Sequence, residues 1–436
     1  MVEKTDKLGL FDVTNLIIGT VLGTGILITL SMTSGLVGPS SLFAWLIAGV
    51  LALLIALSFN HCVKVLPKSG GPYAFAELAF SPFGAFMVGW SFLLFSWLSL
   101  VAITLAFLQY FRALVPDTGF LAGLAVMASL AAFAIITNLM GVKVTGRVIS
   151  ILSIAKIVPF AILVIGGVIF LLVNPGRMAA NFTPFLTGDA INFGEAVVVA
   201  FWAYTGFELA TLPAGEVKDP SRTIPRAIII GMLIVALFYF FINLVVIGAL
   251  GNTTTAEASN PLVEATLVIF SWSPEFAGLI ALLVGVSALI AIACSEETEL
   301  LGASRLTHVL AMAGRMPHAF AALSPKQGVP WLAIVLLAST ALLTTLFGGL
   351  ESIINASIFL LAFVYLMTCL SAAIFHFQGR TDTKDSRFGG AIPILGVTCS
   401  LLVMTYVNPP DMVLAWLIMG LGGGAYLFTK RRKRLR

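Results

Sequence analysis

Charge sits in this chain where charge is costly. Lys156 lies deep in the run Ser150-Ile151-Leu152-Ser153-Ile154-Ala155-Lys156-Ile157-Val158-Pro159, too far from either end to reach water easily. A charged side chain at the bilayer centre costs about 2.5–3.5 kcal/mol on insertion scales, and such residues usually serve function. Lys156 is therefore a candidate to release and regain a proton, or to clamp two helices through its ammonium. Glu208 follows Tyr204-Thr205-Gly206-Phe207 in another apolar run, a candidate proton carrier, gate or structural acceptor. A third run ends on Ser295-Glu296-Glu297-Thr298-Glu299. On a helix, Glu296 and Glu299 share a face and Glu297 lies roughly 100° away.

Other chemistries lack their parts. His61, His308, His318 and His376 fall near the ends of apolar runs and form no HExxH or other metal spacing. Cys62, Cys294, Cys369 and Cys399 form no CxxC pair and read as free buried thiols. No GxSxG elbow and no GxxxxGK[ST] phosphate loop is present. The expectation is no enzyme, no metal and no cofactor, with any transport driven by gradients. A channel would need polar or charged rings, which the chain does not offer.

The elements that must position these residues follow from composition. Of 436 residues, 59% are hydrophobic and 10% charged, and the mean hydropathy is +1.05. Soluble domains have about 45–50% apolar and about 25% charged residues, so the expected solvent is a lipid bilayer. The net charge of +4 is spread along the chain, which points away from nucleic acid. Apolar runs predict twelve spans, near 12–36, 41–66, 83–114, 119–142, 145–173, 191–214, 223–250, 276–305, 329–348, 350–376, 390–407 and 411–429. The third and eighth are long, which implies tilt or extension beyond the membrane. The N-terminal stretch is polar, so the first span is expected to direct insertion without a signal peptide.

With the N-terminus inside, the cytoplasmic segments hold almost all Lys and Arg, including Lys4, Lys64, Lys68, Lys143, Lys218, Arg226, Arg305, Lys384, Arg387 and the basic tail 430–436. The other side keeps only Arg112 and Arg177. That asymmetry predicts a cell-membrane protein with both termini cytoplasmic. Two spans are interrupted at matching places, by Gly19-Thr20-Val21-Leu22-Gly23-Thr24-Gly25-Ile26 and by Phe201-Trp202-Ala203-Tyr204-Thr205-Gly206-Phe207-Glu208. Broken helices at corresponding positions of two halves point to a transporter binding site, although glycines also serve ordinary helix packing.

Several motifs then carry a resemblance. Pro67-Lys68-Ser69-Gly70-Gly71-Pro72-Tyr73 precedes the third span. Gly206-Phe207-Glu208 is followed by Gly215-Glu216-Val217-Lys218-Asp219-Pro220-Ser221-Arg222-Thr223-Ile224-Pro225-Arg226-Ala227. Gly302-Ala303-Ser304-Arg305 leads to Gly314-Arg315-Met316-Pro317, and Gly23-Thr24-Gly25-Ile26 lies in the first span. In this order the set resembles the amino acid–polyamine–organocation permeases. The resemblance implies a leucine-transporter-like all-α fold with two inverted five-helix repeats, 1–173 and 191–376. Helices 1 and 6 would be discontinuous, and two further helices would occupy 390–429.

The implied site lies between the two breaks. Unpaired N–H groups at Gly23, Thr24 and Gly25 suit a carboxylate, and freed carbonyls near Trp202, Ala203 and Thr205 suit an ammonium. Leu22, Ile26, Trp202, Gly206 and Phe207 would line the pocket, which favours a neutral side chain. A lysine at the place of Lys156 in such permeases fills the position of a sodium ion, with its ammonium on carbonyls near Gly19, and argues against sodium coupling. The run at 295–299 departs from the family pattern, which usually has small and polar residues there. One of its acids is expected to pair with Lys156 and another to attract a cationic substrate or face the inner vestibule; the alternative is a cluster neutralised by Arg305 and loop bases. The expected partner is an amino acid, with protons as candidate co-substrate and either symport or exchange open. The exchange alternative extends to cationic amino acids or polyamines. The sequence carries no mark of oligomeric state.

Overall fold

The computed structural model describes residues 7–212, 214–347, 350–380 and 389–434. Lys4, Lys384, Arg387, Arg436 and the side chains of the tail lie outside the described residues. The architecture is all helical; the described residues contain no strand, only an isolated parallel bridge between Leu8 and Val217. In chain order the helices are α1 Leu10–Val21, α2 Thr24–Val37, α3 Ser41–Val65, α4 Gly71–Ala79, α5 Pro82–Leu114 and α6 Phe120–Leu139. They continue as α7 Val142–Val173, α8 Pro175–Asn181, α9 Ala190–Ala203, α10 Pro220–Leu250, α11 Asn252–Glu257 and α12 Pro261–Ile269. The last are α13 Pro274–Met312, α14 Trp331–Thr344, α15 Leu350–Phe377, α16 Ala391–Thr405 and α17 Pro409–Arg434.

Local chemistry sets several boundaries. Ser81 caps α5 by accepting from the Gly84 N–H at 3.2 Å, with Pro82 at the first helical position. Asp189 caps α9, taking the N–H groups of Ile191 and Asn192 at 2.9 and 2.8 Å. Gly206, with φ of 113°, breaks from the helix before the short 3-10 turn Phe207–Thr211. Among the described residues eight helical stretches are long and apolar enough to cross a membrane, or nine if the bent pair Ala391–Thr405 and Pro409–Gly424 counts as one span. The first stretch, Leu10–Val65, contains α1, α2 and α3, while Trp331–Thr344 is apolar but shorter. Helix α13 has 39 residues, about 58 Å at 1.5 Å per residue, well beyond a hydrocarbon core of about 30 Å.

The core is a bundle in which α5 packs on α13 and α15, and α1 on α7 and α10. Lipid offers no hydrophobic drive between helices, so small residues that admit close approach hold such contacts. A β-carbon at Gly167 of α7 would overlap the side chain of Val245 on α10, and one at Gly25 of α2 would collide with the backbone of Ala203 at the end of α9. Outward-facing Leu, Ile and Val side chains, such as Ile151, Leu172 and Leu237, are exposed along the same helices. Lipid solvates them.

Replacing Gly167 with Val should force α7 and α10 apart. Overpacking of this kind costs about 1–3 kcal/mol. A thermal-shift measurement on detergent-solubilised protein should show a lower melting temperature than for the parent, and an unchanged one would contradict the contact.

Candidate functional site

The helical ladder stops at Val21 and resumes at Thr24, with Leu22 donating to the Ile18 carbonyl at 2.9 Å and Gly23 to that of Val21 at 2.7 Å. Gly23 fills the cap position of α2 without a side-chain cap. The first N–H groups of a helix have no intrahelical partner; here Thr24 N–H reaches Ser295 Oγ at 3.3 Å. On the facing element, α9 ends at Ala203, and Tyr204 and Thr205 form a turn before Gly206.

Between these two ends lies a small cavity of about 30 Å³, lined by Thr20, Val21, Thr24, Gly25, Trp202, Ala203, Thr205, Gly206, Ser295, Glu299 and, from α5, Phe95, Ser99 and Ile103. A water needs at least roughly 10–15 Å³ of such space, so the chamber has room for little more than a water or two. Its polar lining is under-satisfied. Thr24 Oγ1, Ser99 Oγ, Trp202 Nε1 and one carboxylate oxygen of Glu299 are buried without a hydrogen-bond partner. Glu299 is only 4% exposed.

The structure thus brings Thr24, Gly25, Trp202, Ala203, Thr205, Gly206, Ser295 and Glu299 together around one space. Leu22, Gly23, Ile26 and Phe207 are buried beside it but are not in its lining. A β-carbon on Gly23 would strike Ser295 Oγ. Phe207 instead stacks on Tyr365, centroids 5.5 Å apart, and meets Phe59 edge-on. Two of the carbonyls expected to take an ammonium, those of Trp202 and Ala203, are engaged. The Tyr239 hydroxyl on α10 bonds the Val21 carbonyl and reaches that of Ala203 at 3.0 Å. The Trp202 carbonyl accepts from Thr205, from N–H at 3.1 Å and from the hydroxyl at 2.7 Å.

The ionisable groups separate into distinct environments. Lys156, fully buried, donates from Nζ to the Gly19 carbonyl at 2.7 Å and ties α7 to α1. The expected carboxylate partner is absent: among the described residues no acid lies within 4 Å of Lys156. The helix geometry explains this. The acids on α13 project toward α5 and α6, whereas Cys294, two residues before the first of them, faces Ser153 and Ile149 of α7. Glu296 accepts from Thr104 of α5 at 3.4 Å. Glu297 accepts from Thr137 and, at 2.9 Å, from Asn138 of α6. No Lys or Arg among the described residues lies within 4 Å of either, or of Glu299. Glu208 takes the Gly206 N–H with both oxygens, at 3.1 and 3.0 Å, and the Tyr365 hydroxyl at 2.6 Å. It braces the very turn that ends the helix.

Sequence reasoning missed the contribution of α5 and the two tyrosines. Phe95, Ser99 and Ile103 recur at the i, i+4, i+8 spacing of one helix face, a signal available in the chain. Tyr239 and Tyr365 carried none, since a tyrosine in an apolar run reads as packing.

Two larger cavities flank the chamber. One, of about 300 Å³, lies among Met32, Leu36, Glu195, Glu351 and Asn355. The other, of about 180 Å³, lies among Ser69, Leu212, Leu306, His308 and Val309. Along α2, α9 and α13 the first is on the far side of the breaks from the second.

Comparison with known proteins places this architecture. Residues 8–420 match the family described as amino acid permease, and the chain belongs to that family. It is 26% identical to a serine/threonine exchanger of Bacillus subtilis, over 98% of this chain and 97% of that protein. It is 28% identical to the b(0,+)-type amino acid transporter 1 of Mus musculus, over 91% and 82% of the two chains. A branched-chain amino acid permease of Bacillus subtilis is 25% identical over 76% and 73%.

Replacing Lys156 with Met should leave the Gly19 carbonyl buried and unpaired, a loss of about 1–3 kcal/mol. The variant should melt at a lower temperature than the parent in a detergent thermal-shift measurement. Equal melting would show that the bond adds nothing.

Proposed function

We propose that this permease is a secondary active transporter that carries an amino acid across the cytoplasmic membrane by alternating access, independently of sodium. The observation that carries the reading is the small chamber between the α1–α2 and α9 interruptions, with larger cavities on either side. Non-helical backbone at membrane depth is tolerable where it lines such a space. The start of α2 offers N–H groups and a positive helix end to a carboxylate. In this reading α1–α2 and α9 with its 3-10 turn are the broken first and sixth of twelve spans. The stretch 10–65 is too long for one crossing and supplies two. Spans one to five and six to ten form inverted repeats over 1–173 and 191–376, spans eleven and twelve cover 390–429, and both termini are cytoplasmic.

Lys156 supports the sodium-independent reading. Its fixed charge holds the Gly19 carbonyl, so a metal cation would meet repulsion there. Proton-coupled symport is the first coupling mode, with Glu208, in contact with Gly206 and Tyr365, as gate or proton carrier. Exchange is the second, and the likeness to a serine/threonine exchanger over 98% of the chain favours it.

Proteoliposomes holding the purified protein should accumulate at least one labelled amino acid from a panel of serine, leucine and arginine. Uptake should be saturable and the same in sodium and in choline medium. An inward proton gradient that drives accumulation supports symport; dependence on unlabelled amino acid inside supports exchange. Sodium-dependent uptake would contradict the role given to Lys156.

A further inference from the structure

One carboxylate oxygen of Glu299 is buried without a hydrogen bond, and the Trp202 and Ala203 carbonyls expected to take an amine are already engaged. These two facts bear on one another. The carbonyls of Val21 and Ala203 share the Tyr239 hydroxyl, that of Trp202 is taken by Thr205, and that of Gly19 by Lys156. Of the lining residues Glu299 alone is ionisable, and one of its oxygens is buried without a hydrogen bond. The other under-satisfied groups of the lining are the donor Trp202 Nε1 and the hydroxyls of Thr24 and Ser99. The chamber therefore presents donors where α2 begins and one carboxylate from α13.

We infer that Glu299 receives the α-ammonium of the transported amino acid, as the counter-charge to the α2 end that receives its carboxylate. The inference rests on the amino acid transport proposed above and names the residue that reads the amine. A buried carboxylate without a cation is costly, and an arriving ammonium relieves that cost while its own charge is neutralised. Selection would then follow from chemistry: zwitterions enter, and carboxylic acids of the same shape without the amine leave Glu299 stranded. Glu296 and Glu297 do not serve this purpose, because neither lines the chamber; they face Thr104, Thr137 and Asn138 instead.

The test couples a change in the protein to a change in the ligand. Uptake of labelled serine or leucine by proteoliposomes is competed with the same unlabelled amino acid and with its 2-hydroxy acid, in which the amine is replaced by hydroxyl. The parent, Glu299→Gln and Glu299→Asp are compared. No cation pairs with Glu299 in the folded protein, so the isosteric Gln strands no charge and the variant should fold; a monodisperse size-exclusion peak checks this. Glu299→Gln should weaken competition by the amino acid about 10- to 100-fold, the range of a hydrogen bond to a charged group. It should leave the hydroxy acid within about threefold, and Glu299→Asp should fall between. Equal weakening of both competitors would mark Glu299 as structural and overturn the inference. So would unchanged competition by the amino acid. If the parent accumulates no amino acid, the transport reading itself falls, and this inference with it.

Discussion

Two segments of the chain that stop being helical inside the buried bundle set the terms for everything around them. Each interruption frees backbone groups where water is scarce, and every freed group must find a partner or face a ligand. The surrounding bundle supplies those partners one at a time. Tyr239 reaches the carbonyls of Val21 and Ala203, Lys156 that of Gly19, Ser295 the N–H of Thr24, and Glu208 that of Gly206. These come from three different helices and the turn itself. The bundle is thus organised around satisfying two breaks, and the close approach of Gly25 to Ala203 keeps those breaks side by side.

Much of the fold was legible because lipid imposes simple rules. Apolar runs, their charged ends and the glycine-marked interruptions read directly from the chain, and the helices fall close to the predicted runs. The amino acid permease family followed from ordered motifs that the match over residues 8–420 establishes. The site was legible in part. Thr24, Gly25, Trp202, Ala203, Thr205 and Gly206 meet around one space because all lie at the breaks. Phe207 and Ile26, chosen for their apolar bulk, are packed elsewhere, since sequence gives no angle about a broken helix axis.

The acids on α13 show the same limit from another side. A pairing with Lys156 seemed natural from charge alone. Direction decided otherwise, because Cys294 holds the face toward α7 and the acids follow on faces toward α5 and α6. Two of them rest on hydroxyl and amide donors. A contact ion pair cannot form when the helix turns one partner away from the other.

The bond between Lys218 N–H and the Leu8 carbonyl, 2.9 Å long, joins the lead-in of α1 to the segment after the Phe207–Thr211 turn. These are the outer shoulders of the two interruptions on the same face of the bundle. A yoke at that point makes them one mechanical part. Any swing that unseals the chamber toward that face carries both halves together as a single lever, or must first snap this clasp.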